Sequence, residues 1–232
     1  MTDGIVVVYK ERGWTSFDVV AKLRSVLKIK KIGHTGTLDP DAEGVLVLCV
    51  GKATKLVQSL TGHDKEYRAT LLFGKKTDTG DVSGRILQEG EVRFSEEEAR
   101  RAALSFVGGY DQIPPMYSAK KVGGRKLYEL AREGITVERT PVFVSISSLT
   151  VEEVLLPRMR FSVACGKGTY IRTLCEDIGE KLGCPACMES LIRSKVGEYG
   201  LSDAKKISEI EKLMKESGPE AFMIPIPEGK MP

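Results

Sequence analysis

The chain has 232 residues, 41% of them hydrophobic and 29% charged, and a net charge of only +3. It is long enough to bury a substantial core, no apolar run reaches the length of a membrane span, and no signal-peptide pattern opens the chain, so a cytoplasmic protein without membrane attachment is expected. Five cysteines, an odd number, argue against a disulfide framework, and the near-balanced charge leaves any nucleic-acid partner to be read from local basic clusters.

Residues 5–8 read as a short strand. Thr15 with Asp18 three positions on marks a helix start, and Phe17, Val20, Leu23 and Leu27 supply apolar positions of that helix. A loop over residues 33–44 follows, then an unbroken apolar run at 45–50, the pattern of a strand buried on both faces. Residues 66–73 alternate, with Tyr67, Ala69, Leu71 and Phe73 on one face. Residues 75–84, KKTDTGDVSG, read as a polar loop, and Ser95 with Glu98 forms a capping box ahead of a helix. Residues 113–134 are basic, carry Pro114-Pro115 and Gly123-Gly124, and read as an inserted excursion. Strands are expected at 142–149 and 159–165. Thr169 is the expected N-cap of a helix whose buried stripe is Ile171, Leu174, Cys175, Ile178 and Leu182, closed by Gly183. A last helix is expected from Ser202, then a loosely ordered tail with Pro219, Pro225, Pro227 and Pro232. The elements lack a regular βαβ alternation, which predicts one α+β domain around a mixed, mostly antiparallel sheet flanked by helices and loops.

The loop GHTGTLDPDAEG at 33–44 holds the strongest candidates for chemistry. A carboxylate such as Asp39 can act as nucleophile or base without a cofactor, provided it is held in place. An Asp-Pro step is also a common turn in which the aspartate bonds its own backbone, and Asp41 and Glu43 lie close by. Spacing does not choose among the three acids. Arg172 sits about 100° from Ile171 in a first helical turn, where a cation opposes the helix dipole and so needs some other reason, such as a local pair with Glu176. Tyr67 by itself reads as an aromatic on the buried face of its strand, and His34 as a polar loop group. Cys184 and Cys187 form a single CxxC without a second pair, read as structural, so no metal is expected.

GHTGTLDPDAEGVL resembles the motif around the catalytic aspartate of the TruB family, which converts a uridine of transfer RNA to pseudouridine. GIVVVYKERGWTSFDVV, KEYRA with KKTDTGDVSG, QIPPMYSAKKVGGRKLYELAREG and CGKGTYIRTLCEDIGEKLGC resemble further segments of that family in its order, over most of residues 4–195. The resemblance implies a pseudouridine-synthase-like fold, with residues 1–215 as catalytic domain, 113–134 as a thumb-like RNA-binding insertion, and 216–232 as a tail without a complete PUA-like domain. It implies catalytic roles for Asp39, Tyr67 and Arg172, with Tyr67 stacking on the target base and Arg172 facing Asp39. RNA contacts are implied for His34, Lys10, Tyr170, Lys120, Lys121, Arg125, Lys126 and Arg193. The implied reaction flips the T-loop uridine at position 55 of tRNA out of its stack, breaks its glycosidic bond and rejoins C5 to C1′, with no cofactor. Attack by Asp39 on the sugar, attack on the base, and removal of a ribose proton are all open. The implied partner is the T arm of tRNA, bound by a monomer without an obligate protein partner. The chain departs from the family pattern at Glu11, usually proline, and at 191–194, where one arginine stands in place of two. The rival class is a non-catalytic tRNA-folding protein.

Overall fold

The computed structural model describes residues 3–226. The chain begins with strand β1 (Gly4–Lys10) and helix α1 (Ser16–Leu27), then β2 (Ile32–His34) and β3 (Glu43–Val50). A 3₁₀ turn (Gly51–Leu56) leads to α2 (Val57–Thr61) and β4 (Lys65–Phe73). A short hairpin, β5 (Lys75–Thr77) and β6 (Ile86–Glu89), precedes α3 (Glu96–Leu104) and β7 (Tyr110–Gln112). The excursion forms a second hairpin, β8 (Lys121–Val122) and β9 (Arg125–Lys126), followed by α4 (Leu127–Arg132). Then come β10 (Val142–Val144), β11 (Ile146–Leu155), β12 (Arg158–Cys165) and α5 (Ile171–Lys181). The chain closes with β13 (Ala186–Val196), β14 (Tyr199–Gly200), α6 (Ile207–Glu216) and β15 (Met223–Ile224).

Two compact units are present, one formed by residues up to Tyr67 and from Leu191 onward, the other by Arg68–Ser190. In the first unit β1 lies antiparallel between β3 and β15, and β3 also pairs with β2. The pairing of β13 with β3 is parallel, with Arg193 opposite Gly44. Even-numbered residues of β1 and β3 (Val6, Val8, Leu46, Leu48) pack with Val19, Val20 and Leu23 of α1 and Ile210 of α6. Odd-numbered ones (Ile5, Val7, Val45, Val47) pack with Leu56, Leu60 and Tyr199. Both faces of β3 are thus covered, as its unbroken apolar run predicts, and residues 45–50 are all 0% exposed.

In the second unit β11 and β12 form a long antiparallel pair from Ile146↔Cys165 to Leu155↔Arg158. Ala69, Leu71 and Phe73 of β4 are buried, which bears out the alternation of that strand. Helix α3 packs on β11 and α5.

The capping boxes at Thr15 and Ser95 form as expected. Several expectations shift. The strand anticipated at 142–149 breaks at Ser145, whose carbonyl accepts the Gly166 N–H at 3.0 Å. The loop at 75–84 contains β5. Thr169 is not the N-cap of α5: its hydroxyl donates to the Gly166 carbonyl at 3.0 Å, and Tyr170 takes the cap position. Helix α6 starts at Ile207 rather than at Ser202, capped by Lys206, whose N–H donates to Glu209 Oε2 at 2.7 Å. The tail is not loose throughout, because Met223 and Ile224 pair with Val6 and Ile5. Pro227 and Pro232 lie outside the described residues.

Candidate active site

The loop between β2 and β3 is anchored by side chains from β1, α1 and β13 that bond its backbone. Ser16, in the first turn of α1, accepts the Leu38 N–H at 2.8 Å and donates to the Leu38 carbonyl at 3.1 Å. The Pro40 carbonyl receives the Gly13 N–H at 2.9 Å and Lys10 Nζ at 3.1 Å. Arg193 reaches the loop from β13: Nη2 donates to the Gly36 carbonyl at 3.1 Å, Nη1 to Thr37 at 3.4 Å and Nε to Val45 at 2.8 Å. Asp39 itself begins a turn closed by the Ala42 N–H to its carbonyl at 3.1 Å, the local geometry an Asp-Pro step favours. Leu38 and Pro40, the two neighbours of Asp39, are therefore pinned separately, and the carboxylate has little backbone freedom.

The close seating of Arg193 depends on Gly44. A Cβ there would meet the Arg193 carbonyl oxygen at 2.3 Å, and Gly44 has φ of +104°. Only glycine permits this approach of β13 to β3 at the loop's exit.

The three acids of the loop now have different surroundings. Asp41 pairs with Arg12 Nε at 3.1 Å at the surface. Glu43 is hydrogen-bonded by Tyr9. Asp39 is the acid whose charge acts on both buried cations, Lys10 and Arg193. The Arg193 guanidinium also donates to the hydroxyl of Tyr67 on β4, so Asp39, Tyr67 and Arg193 form one electrostatic group within the first unit. Tyr67 is the half-exposed position on the otherwise buried face of its strand.

Lys10 and Arg193, both expected to touch RNA, are buried here among backbone carbonyls. Lys10 is 0% exposed, and its ammonium donates to the carbonyls of Glu11, Trp14 and Pro40 at 3.2, 2.7 and 3.1 Å. Burial lowers it to about 8, against the opposing pull of Asp39, Glu43 and Asp41. Arg193 is 2% exposed, and burial lowers it too, opposed by Tyr67 and Asp39. Both side chains hold the loop through these carbonyls, and reaching a phosphate would take either one off them. His34, at the end of β2, is half-buried; burial and then Arg193 lower it. Its Nδ1 accepts the Gly36 N–H at 3.3 Å, which leaves a neutral ring with its proton on Nε2.

In the second unit, Arg172 is 7% exposed in the first turn of α5. Its Nη1 donates to the Thr79 carbonyl at 2.7 Å and Nη2 to the Tyr117 carbonyl at 2.8 Å, tying two loops to that helix end. Tyr170 is half-exposed, and both of its peptide groups are bonded by the Gln112 side chain. Lys121 and Arg125 are exposed on the β8–β9 hairpin, whose Gly123 and Gly124 take φ of +58° and +84° as a tight two-residue turn requires. Lys120 precedes the hairpin and Lys126 ends it, both half-exposed, and Arg125 pairs with Glu133. Ser16 and Gln112 were not singled out in the sequence. Both lie within segments that resemble the family, but nothing there singles out Ser16 beyond its place just inside a capping box, or Gln112, whose partner is 58 residues away.

The model of the TruB family pseudouridylate synthase N-terminal domain matches residues 24–171, and that of the tRNA pseudouridylate synthase B C-terminal domain matches residues 172–225. A relative from Alkaliphilus oremlandii, named tRNA pseudouridine synthase B, is 50% identical over 91% of this chain and 71% of its own length. One of the same name from Lachnoclostridium phytofermentans is also 50% identical, over 97% of this chain and 76% of its own. Among solved structures, a Cbf5-Nop10-Gar1 complex superposes with a TM-score of 0.73 at 28% identity, covering 95% of this chain and 58% of that one. An H/ACA RNP bound to a substrate RNA containing 2′-deoxyuridine gives a TM-score of 0.70 at 27% identity, covering 94% and 56%. The chain thus spans a little over half the length of these solved chains. The anchored Asp39 loop, the α+β fold and two adjoining family models agree, and the chain belongs to the TruB family of pseudouridylate synthases.

Proposed function

We propose that this chain isomerises the T-loop uridine at position 55 of tRNA to pseudouridine, with Asp39 as the reacting carboxylate. The observation that carries the reading is the mounting of Asp39 between residues pinned by Ser16, Lys10 and Arg193, beside a tyrosine bonded to the same arginine. In the reaction the C1′–N1 bond breaks, the uracil turns, and C5 bonds to C1′; C5 loses a proton, N1 gains one, and no redox change occurs. Whether the carboxylate attacks the sugar, attacks the base or takes a ribose proton, each route needs it at one fixed place within bonding reach of the flipped nucleotide.

Tyr67 is assigned to stack on the uracil, Arg172 to face Asp39, and His34 to enter the RNA loop. The neutral His34 ring suits stacking and hydrogen bonding to bases more than pairing with phosphate. Residues 113–134 serve as the RNA-gripping insertion, with Lys120, Lys121, Arg125 and Lys126 toward phosphates and Tyr170 as a further contact. Five buried free cysteines suit a reducing compartment, so the reaction is assigned to the cytoplasm.

The test incubates the purified chain alone with a T-arm stem-loop RNA and maps pseudouridine, with Asp39→Asn in parallel. Product at the T-loop uridine is expected, reduced by at least ~100-fold in the variant, the low end of what a positioned reacting group contributes, while RNA binding persists. Binding without product from the unaltered chain would replace this reading with the RNA-folding one.

A further inference from the structure

Gln112 ends β7 at 1% exposure, and its side-chain amide is fully spent. Its Oε1 accepts the Tyr170 N–H at 2.8 Å. Its Nε2 donates to the Tyr170 carbonyl at 3.1 Å and to the Tyr110 hydroxyl at 2.6 Å, and Tyr110 passes its own proton toward Asp177 Oδ2 at 2.5 Å. Only one orientation of the amide satisfies both polar groups of Tyr170.

Tyr170 is the N-cap of α5, and no side chain of that helix caps it. Its carbonyl also accepts the helix's first bond, from the Leu174 N–H at 3.0 Å. The Gln112 amide therefore meets Tyr170 as a neighbouring strand would, and holds it at φ −99° and ψ 111°, outside the helical region. Asp177 lies two turns further along the same helix, so the bonds through Tyr110 grip α5 at its start and in its middle. Burial raises both Tyr110 and Asp177, and the Tyr110 hydroxyl keeps the proton that closes the chain. Arg172 stands in the turn this network fixes, two residues after Tyr170, and its two carbonyl partners tolerate little rotation of that turn.

We propose that Gln112 is a positioning residue for the reaction, setting the start of α5 and through it the aim of Tyr170 and Arg172. The inference rests on the pseudouridine synthase reading and adds a residue to its machinery.

The experiment measures kcat, KM and RNA affinity on the T-arm substrate for Gln112→Met, Arg172→Lys and the double variant. Gln112→Met should lose about tenfold or more in kcat, with a smaller loss of RNA affinity, the share that Tyr170 contributes, because a misaimed group costs most in the transition state. The double variant should be no slower than the slower single one, since both act through Arg172. Gln112→Glu, which keeps the acceptor for the Tyr170 N–H, replaces Gln112→Met if the latter fails to melt cooperatively by circular dichroism. A kcat within twofold of the unaltered chain, losses that multiply in the double variant, or failure of both Gln112 variants to fold would overturn the positioning role. No product from the unaltered chain would instead overturn the functional reading, and this inference with it.

Discussion

At the scale of single residues, Lys10 ties charge to geometry. It titrates at about 8 in the folded chain against 10.5 ordinarily. Between those values the unfolded chain binds more protons than the folded one, so linkage makes stability rise with pH across that window. Below it the site carries the full cost of a buried ammonium. Activity runs the other way, because a neutral amine has two N–H groups for three carbonyls and no charge beside Asp39. The melting temperature of the unaltered chain relative to Lys10→Met should therefore climb from pH 8 to pH 10, while its kcat falls over the same range. Parallel melting curves would mean that Lys10 titrates normally. The sequence singles out Asp39 and Tyr67 through the motifs that carry them, and their roles remain part of the proposed function. The burial of Lys10 and Arg193 was not legible in it, since cations are ordinarily surface groups. The clue for Lys10 was strand parity, which puts it on the face of Val6 and Val8.

At the scale of elements, the start of α1 does two things at once. Thr15 closes the capping box, and Ser16 grips both peptide groups of Leu38. Ser16→Ala should cost about 1–3 kcal/mol in urea unfolding, the penalty for a buried peptide group losing its partner. It should also lower kcat more than it raises KM, because the Asp39 backbone loses one of its anchors. A stability loss with unchanged kcat would separate the helix start from the chemistry. Capping boxes were readable because their partners lie three residues apart. The start of α5 was misread at Thr169 because Gln112, which supplies the bonds there, is remote in sequence. The pairing of Met223 and Ile224 with β1 depends likewise on contacts that a local pattern does not contain.

At the scale of the whole molecule, a net charge of +3 gives little general attraction for RNA, so affinity has to come from local groups. The β8–β9 hairpin presents Lys121 and Arg125 on a turn that its two glycines fix. Charge reversal of both residues should lower the slope of log affinity against log salt by about two phosphate equivalents, while single-turnover rates at saturating RNA stay within a few-fold. An unchanged slope would remove the hairpin from the RNA contact. The α+β class and the doubly buried strand at 45–50 were legible from composition and pattern. The parallel pairing of β13 with β3 was not, because it joins residues about 150 positions apart.

The strand that leaves the Asp39 loop has its own consequence. Amides of a strand covered on both faces exchange with solvent only when the surrounding unit opens as a whole. The Asp39 loop runs straight into this strand at Glu43, and the neighbours Leu38 and Pro40 are each hydrogen-bonded. Under the role proposed for Asp39, fidelity among competing uridines is decided by which base can be delivered to a held carboxylate, and the energetic cost of adapting falls on the RNA.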